Sequence, residues 1–178
     1  MSKYDLPATI DYILGVTKKP KISYVGHSQG TTIALQLLAS IPTYNDKIEK
    51  AILLAPIAQL CHTKSLMKTL FVPPIPQLYQ TMGGAVPQDY KPVAEMMRQC
   101  QLQKTFWEPS NAVAIGPVAP VNGSRIPVIL SHVGDVSMWC VTKFIQNPCK
   151  CISYFDYGPI VNLFKYKSLF PPMYDLKK

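Results

Sequence analysis

The sequence predicts an α/β fold built on a parallel sheet, and three observations carry that reading. Residues 1–58 run helix, strand, helix, strand, the order that crossover helices impose on parallel strands. A serine lies between two glycines, Gly26-His27-Ser28-Gln29-Gly30, where the first strand gives way to the second helix. After Pro56 the chain turns proline-rich, in FVPPIPQ, IGPVAPV and LFPPM, which reads as a helical insertion rather than more sheet.

Each element has a local cause. Asp5-Leu6-Pro7 is expected to start a helix, with aspartate as cap and proline in the first turn. Leu6, Ile10, Ile13 and Leu14 then recur at helical spacing, so one face should pack inward. Gly15 and the Lys18-Lys19-Pro20 break end it. Residues 21–25 form a short β-rich run stopped by Gly26. From Gln29, the residues Ile33, Ala34, Leu37, Leu38 and Ile41 make a largely apolar helix, buried on most sides, that ends before Pro42. Residues 48–56, around AILLAP, read as a second strand buried on both faces. Farther on, helical patches are expected over 61–70, 92–104 and 136–146.

Composition narrows the function classes. Of 178 residues, 48% are apolar and 16% charged, which excludes a disordered chain and supplies a core for one medium domain. No apolar run is long enough to span a bilayer, and MSKYDLPATI lacks the apolar centre of a signal peptide. The net charge of +8 comes from scattered lysines, without the arginine and aromatic interleaving or the motif of a nucleic-acid site. The five cysteines, Cys61, Cys100, Cys140, Cys149 and Cys151, fit no zinc spacing. Buried free thiols are expected for most of them, an exported protein could hold one disulfide, and no metal or cofactor is expected.

Gly-x-Ser-x-Gly has a mechanical meaning on a strand-to-helix turn. The serine sits on a strained backbone with its hydroxyl pointing off the sheet, and side chains two positions before and after it would collide, hence Gly26 and Gly30. The Gln29 amide then stands at the helix N-terminus, where an oxyanion would form. Chance yields roughly 0.06 such patterns in a chain of 178 residues. The competing reading is a helix cap in which Ser28 only bonds a backbone amide.

A nucleophilic serine needs a base oriented by an acid. His27 lies inside the elbow, where its ring cannot easily turn back onto Ser28, and His62 comes too soon after the second strand. His132, with Asp135 three residues later, is the candidate base and acid pair within the chain. It sits in the proline-rich stretch, and its alternative role is that of a partly buried structural histidine.

These residues resemble the acid lipases, the family of gastric and lysosomal acid lipase and insect digestive lipases. KYDLPATIDYIL, YVGHSQGTT, LLAPIA and Thr63-Lys64-Ser65 carry the resemblance in the first part. RIPVILSH from Arg125, Tyr154-Phe155-Asp156-Tyr157-Gly158 and PPMYDL from Pro171 carry it near the end. The resemblance implies an α/β-hydrolase core with an inserted helical cap and lid: a partial core over 1–58, then cap, lid and the start of the return to the core over 59–178. It also implies that Ser28 is the acyl-accepting nucleophile, that the Gln29 amide is one oxyanion donor, and that triacylglycerols or cholesteryl esters at a lipid–water interface are the substrates.

In family terms the second oxyanion donor comes from a loop upstream, and the acid and base come from beyond PPMYDL. His132 then matches a cap histidine, and Asp156 and Asp175 match non-catalytic positions. The expectation is therefore a lipase sequence truncated at both ends, inactive at this length. Asn122-Gly123-Ser124 is a glycosylation sequon, which fits a secreted or lysosomal intact protein. An alternative from another class is a catalytically inactive remnant that binds lipid through patches such as Met96-Met97 or Met138-Trp139.

Overall fold

The computed structural model describes residues 1–58, 85–86, 92, 95, 125, 127–128, 132, 136–146 and 152–176. In chain order the elements are α1 (Asp5–Thr17), β1 (Ile22–His27), α2 (Gln29–Ser40), a short 3-10 helix (Pro42–Asn45) and β2 (Ile48–Leu54). Then come β3 (Ala85–Val86), β4 (Val136–Ser137), α3 (Met138–Gln146) and α4 (Pro159–Tyr166). The chain forms two compact units, one of residues 1–61 with 147–178 and one of residues 62–146.

In the first unit, the N-cap of α1 falls one residue earlier than expected. Tyr4 holds the N-cap position without a side-chain bond, and Asp5 is the first helical residue. The Asp5 carboxylate instead meets the chain's amino group at 2.9 Å, close to the positive end of the helix. Gly15 stays inside α1; the stop comes at Lys18, whose left-handed backbone (φ 55°) sends its N–H back to the Leu14 carbonyl.

Strand β1 does not stop at Gly26 but continues through it to His27. It pairs in parallel with β2, in register from Ser23 opposite Lys50 to His27 opposite Leu54, with one irregularity after Ile22. α2 is the crossover between them, and no residue of it is exposed, as its all-round apolar pattern requires.

The core lies where the helices meet the strand starts. Ile10, Leu37 and Tyr44 are buried there, with Leu6, Leu14, Ile22, Leu38, Ile41 and Ile48 packed around them. Each fully buried Ile or Leu contributes about 1.5–3 kcal/mol. Ile13 departs from its expected place and faces solvent, because the inward stripe of α1 is the narrower Leu6–Ile10–Leu14 row. The Tyr44 hydroxyl donates to Asp11 at 2.8 Å, and Lys47 reaches the same carboxylate at 2.6 Å. α1 is thereby tied to the corner between α2 and β2.

Residues 48–56 were expected to be buried on both faces, and here the structure differs. β2 ends at Leu54, and Ile52 and Leu54 are each about half exposed, with Val25 exposed on β1. Among the described residues the sheet has two strands, too few to hold a helical layer along their whole length.

In the second unit, the helix expected over 136–146 begins two residues late. Val136 and Ser137 pair antiparallel with Val86 and Ala85 before α3 starts, so a long-range partner overrides the local helical pattern. Cys140 on α3 is a free, half-buried thiol. The helix expected over 61–70, most of that over 92–104, the other four cysteines and the sequon at Asn122 lie outside the described residues.

Residues 152–176 add an unanticipated helix, α4. Ser153 bridges to Met173, and the Tyr154 and Tyr174 rings stack at 4.2 Å. Gly158, at φ 87°, makes the turn into α4, a conformation that suits glycine alone at little cost.

Candidate active site

The strand-to-helix turn after β1 is the centre of the site. Its geometry follows from the contacts of Ser28 with its neighbours. Ser28 has φ 51° and ψ −117°, a sparsely populated backbone state that costs on the order of 1–3 kcal/mol and persists only when the surroundings hold it. They do so here. The Ser28 amide donates to the Leu54 carbonyl at 3.0 Å, and the Ser28 carbonyl accepts from both the Thr31 amide at 3.0 Å and the Thr31 hydroxyl at 2.6 Å. Although Ser28 occupies the N-cap position of α2, its side chain makes no capping hydrogen bond. The plain helix-cap reading is therefore not what the structure contains.

The same hydroxyl network joins the elbow to the end of the neighbouring strand. Thr31 Oγ1 accepts the Ile57 N–H at 3.0 Å, and Thr32 Oγ1 donates to the Ile57 carbonyl at 2.5 Å. Ala55 follows β2 in a left-handed conformation, φ 47°. Ser28 and Ala55 come directly after the paired residues His27 and Leu54. Both strands therefore turn sharply at one level, at the carboxyl ends of a parallel sheet, where open α/β folds place their sites.

Gly26 and Gly30 have unequal reasons to be glycine. A Cβ on Gly26 would lie 2.7 Å from Tyr24 Cε1 and 3.0 Å from the Gly30 carbonyl carbon. A Cβ on Gly30 would lie 3.5 Å from Tyr24 Oη, an ordinary contact. The collision expected of both glycines is therefore found at Gly26 alone, because the chain passes closest there. Tyr24 fills the gap, donating its hydroxyl to the Gly30 carbonyl at 2.8 Å, and burial raises its pKa.

Gln29 is the first residue of α2, so its amide is among those with no carbonyl four residues back to bond. Its side chain reaches Met1 Sδ at 3.7 Å. A half-buried serine hydroxyl, first-turn amides and the positive end of a twelve-residue helix together favour negative charge developing beside Ser28.

His27 is exposed at the end of β1. His132 belongs to the second unit, is exposed rather than partly buried, and has Nδ1 at 2.8 Å from the Val128 carbonyl. Asp135 and His62 are outside the described residues. Asp156 is engaged structurally, accepting from the Gly158 amide at 2.9 Å and the Asn162 side chain at 2.7 Å. Among the described residues, no group of three or more His, Cys, Asp or Glu could hold a metal ion.

Sequence reasoning missed Tyr24, Thr31 and Thr32. Two threonines in the first turn after the elbow were the available signal, since threonine hydroxyls there compete for backbone partners. Nothing local announces that the partner is Ile57.

Comparison with known proteins agrees with this geometry. A family model described as the alpha/beta hydrolase fold matches residues 1–112. Lipase 3 of Drosophila melanogaster is 31% identical over 193 residues, covering 98% of this chain and 47% of its own length. Gastric triacylglycerol lipase of Homo sapiens is 34% identical over 190 residues, covering 99% of this chain and 46% of its own. Lipase member K of Homo sapiens reaches 47% identity over 70 residues, which is 39% of this chain. The chain spans about half the length of the first two of these relatives. With the parallel β1–α2–β2 unit and its serine turn, these matches mean that the chain belongs to the alpha/beta hydrolase fold family.

Proposed function

We propose that Ser28 is the acyl-accepting nucleophile of a serine ester hydrolase acting on triacylglycerols or cholesteryl esters at a lipid–water interface. The observation that carries the reading is the strained backbone of Ser28, φ 51° and ψ −117°, with a hydroxyl that caps nothing. In this mechanism Ser28 Oγ attacks the ester carbonyl while a base takes its proton. The oxyanion that forms faces the Gln29 amide, and the leaving alcohol departs with the proton returned by the base. Water then attacks the acyl-serine and releases the fatty acid. The base, its acid and the second oxyanion donor are assigned to the part of the lipase pattern outside this stretch, since the chain spans 46% of human gastric triacylglycerol lipase. Secretion or lysosomal residence of the intact protein belongs to the same reading.

Ser28→Ala in the intact protein is expected to lower hydrolysis of a triacylglycerol emulsion by at least about a thousandfold, leaving the fold unchanged. Turnover retained in that variant refutes the assignment.

A further inference from the structure

The peptide that joins Ser28 to Gln29 carries two parts of the site. Its carbonyl belongs to Ser28, and its N–H is the Gln29 amide at the start of α2. A trans peptide is a rigid plane whose C=O and N–H point in opposite directions, so whatever fixes the carbonyl also aims the amide. Thr31 fixes it: its hydroxyl donates to the Ser28 carbonyl at 2.6 Å, and its own N–H reaches the same oxygen at 3.0 Å.

A threonine hydroxyl that bonds back to a nearby carbonyl is ordinary in a helix. Two features set this one apart. Thr31 is 0% exposed, so water cannot replace its hydroxyl. Its Oγ1 also accepts the Ile57 N–H at 3.0 Å, which leaves its proton to point at Ser28. The Thr31 amide moves with α2, whereas the hydroxyl ties the Ser28 carbonyl to a segment beyond β2. That segment is itself held, because the Ile57 carbonyl accepts from Thr32 Oγ1. On the other side of Ser28, its amide is bonded to the Leu54 carbonyl at 3.0 Å. Both peptide planes that meet at the Ser28 Cα are therefore anchored to the end of β2 and the residues after it. Those two planes set φ, ψ and the direction in which Oγ leaves the chain. A hydrogen bond at one end of a peptide also polarises the N–H at the other.

We propose that Thr31 is a positioning residue for ester hydrolysis, its hydroxyl aiming the Gln29 N–H at the oxyanion and holding Ser28 Oγ in line with the ester carbonyl. This role rests on the reading of Ser28 as the nucleophile. Because Thr31 acts through the backbone of Ser28 and Gln29, it affects the chemical step and not the binding of substrate.

The test is hydrolysis of dissolved p-nitrophenyl butyrate by the intact protein and its variants. Competent sites are counted first with diethyl p-nitrophenyl phosphate: Ser28 Oγ bonds to phosphorus, p-nitrophenolate leaves, and the base takes the serine proton. The p-nitrophenolate released gives the site concentration, which makes kcat independent of any unfolded fraction. In Thr31→Val, kcat per site is expected to fall about 10–100-fold, short of the roughly 100–1,000-fold for losing an oxyanion donor outright. KM should stay within about twofold, and the pH profile of kcat/KM should keep its position, since the base is unchanged. Thr31→Ser, which restores the hydroxyl, should return kcat to within about threefold of the parent. Tyr44→Phe loses its bond to Asp11 in the core at the strand starts and should be less stable with parental kcat. If Thr31→Val does not fold, Thr31→Cys, whose thiol is a weak donor, should give a kcat at least about threefold below that of Thr31→Ser.

A parental kcat in Thr31→Val, a loss that Thr31→Ser does not recover, or a loss that Tyr44→Phe shares overturns the positioning role. So does a Thr31→Cys variant as active as Thr31→Ser. Ser28→Ala separates the two readings. If it is inactive while Thr31→Val is fully active, the positioning role fails by itself; if Ser28→Ala still turns over ester, the nucleophile and the role of Thr31 fall together.

Discussion

Replacing Gly26 by alanine puts a methyl carbon into space already taken. It would stand 2.7 Å from Tyr24 Cε1, 3.0 Å from the Gly30 carbonyl carbon and 3.1 Å from the Gly30 oxygen, against an optimal separation of about 3.5–4.0 Å between carbons. The Tyr24 ring cannot swing aside freely, since its hydroxyl is bonded to Gly30 at 2.8 Å. Gly30 cannot retreat either, because it lies in the first turn of α2, next to Thr31, which holds Ser28. Overpacking of this kind costs about 1–3 kcal/mol, and loss of the Tyr24 hydrogen bond adds about 1 kcal/mol. A destabilisation of about 2–4 kcal/mol follows, at roughly 2–4 °C of Tm per kcal/mol for a chain of this size.

Gly30→Ala meets Tyr24 Oη at 3.5 Å and sits in a helix, where alanine is favoured by roughly 0.5–1 kcal/mol. It should be neutral or stabilising. Urea unfolding followed by circular dichroism, with both variants and with Gly26→Ala in a Tyr24→Ser background, measures the difference. In that background the Cε1 clash is gone and the penalty should fall. Equal penalties at the two glycines, or a harmless Gly26→Ala, would refute the reasoning.

Thr31→Val keeps the shape but leaves the Ile57 N–H without its acceptor and the Ser28 carbonyl without its 2.6 Å donor; a loss of about 1–3 kcal/mol is expected in the same unfolding assay. Thr31→Ser, which keeps the hydroxyl, should recover most of it, and a valine variant as stable as the parent would show the network to be idle. Burial pushes Tyr166 and Tyr174 up to about 12, whereas tyrosine in an unfolded chain releases its proton near pH 10. The folded state therefore keeps protons that the unfolded state has lost. This contribution is full below pH 10 and is lost as pH rises from about 10 to about 12. Tm measured across that interval should fall less steeply in Tyr166→Phe/Tyr174→Phe, whatever its absolute stability, and an unchanged slope would sink the assignment.

The parallel strand–helix–strand order, the limits of α2 and the serine turn were legible in the residues themselves. Each rests on a short-range property: β-rich Ile22–Val25, apolar residues all round α2, and a glycine two places on either side of Ser28. The strained state of Ser28 could be expected from that local pattern. What holds it could not, because Leu54, which accepts its amide, and Ile57, which bonds the Thr31 hydroxyl, lie 26 and 29 positions away in sequence.

The errors share that cause. Asp5 and Ile13 fit helical templates whose true alignment depends on which face meets Leu37. Val136-Ser137 fit a helix until β3 claims it. Gly30 looks as constrained as Gly26 until the position of the Tyr24 ring is known. α4 is the extreme case, since its polar Asn162 is buried and its apolar Ile160 and Phe164 are exposed, so a rule that apolar residues go inside points the wrong way. By itself, then, the sequence determined the backbone preferences, the order of elements and the identity of the candidate nucleophile. Only the tertiary structure decided which side chains face inward and which distant groups hold the serine in its strained state. Burial and hydrogen-bond satisfaction are properties of the packed neighbourhood, which no local stretch contains.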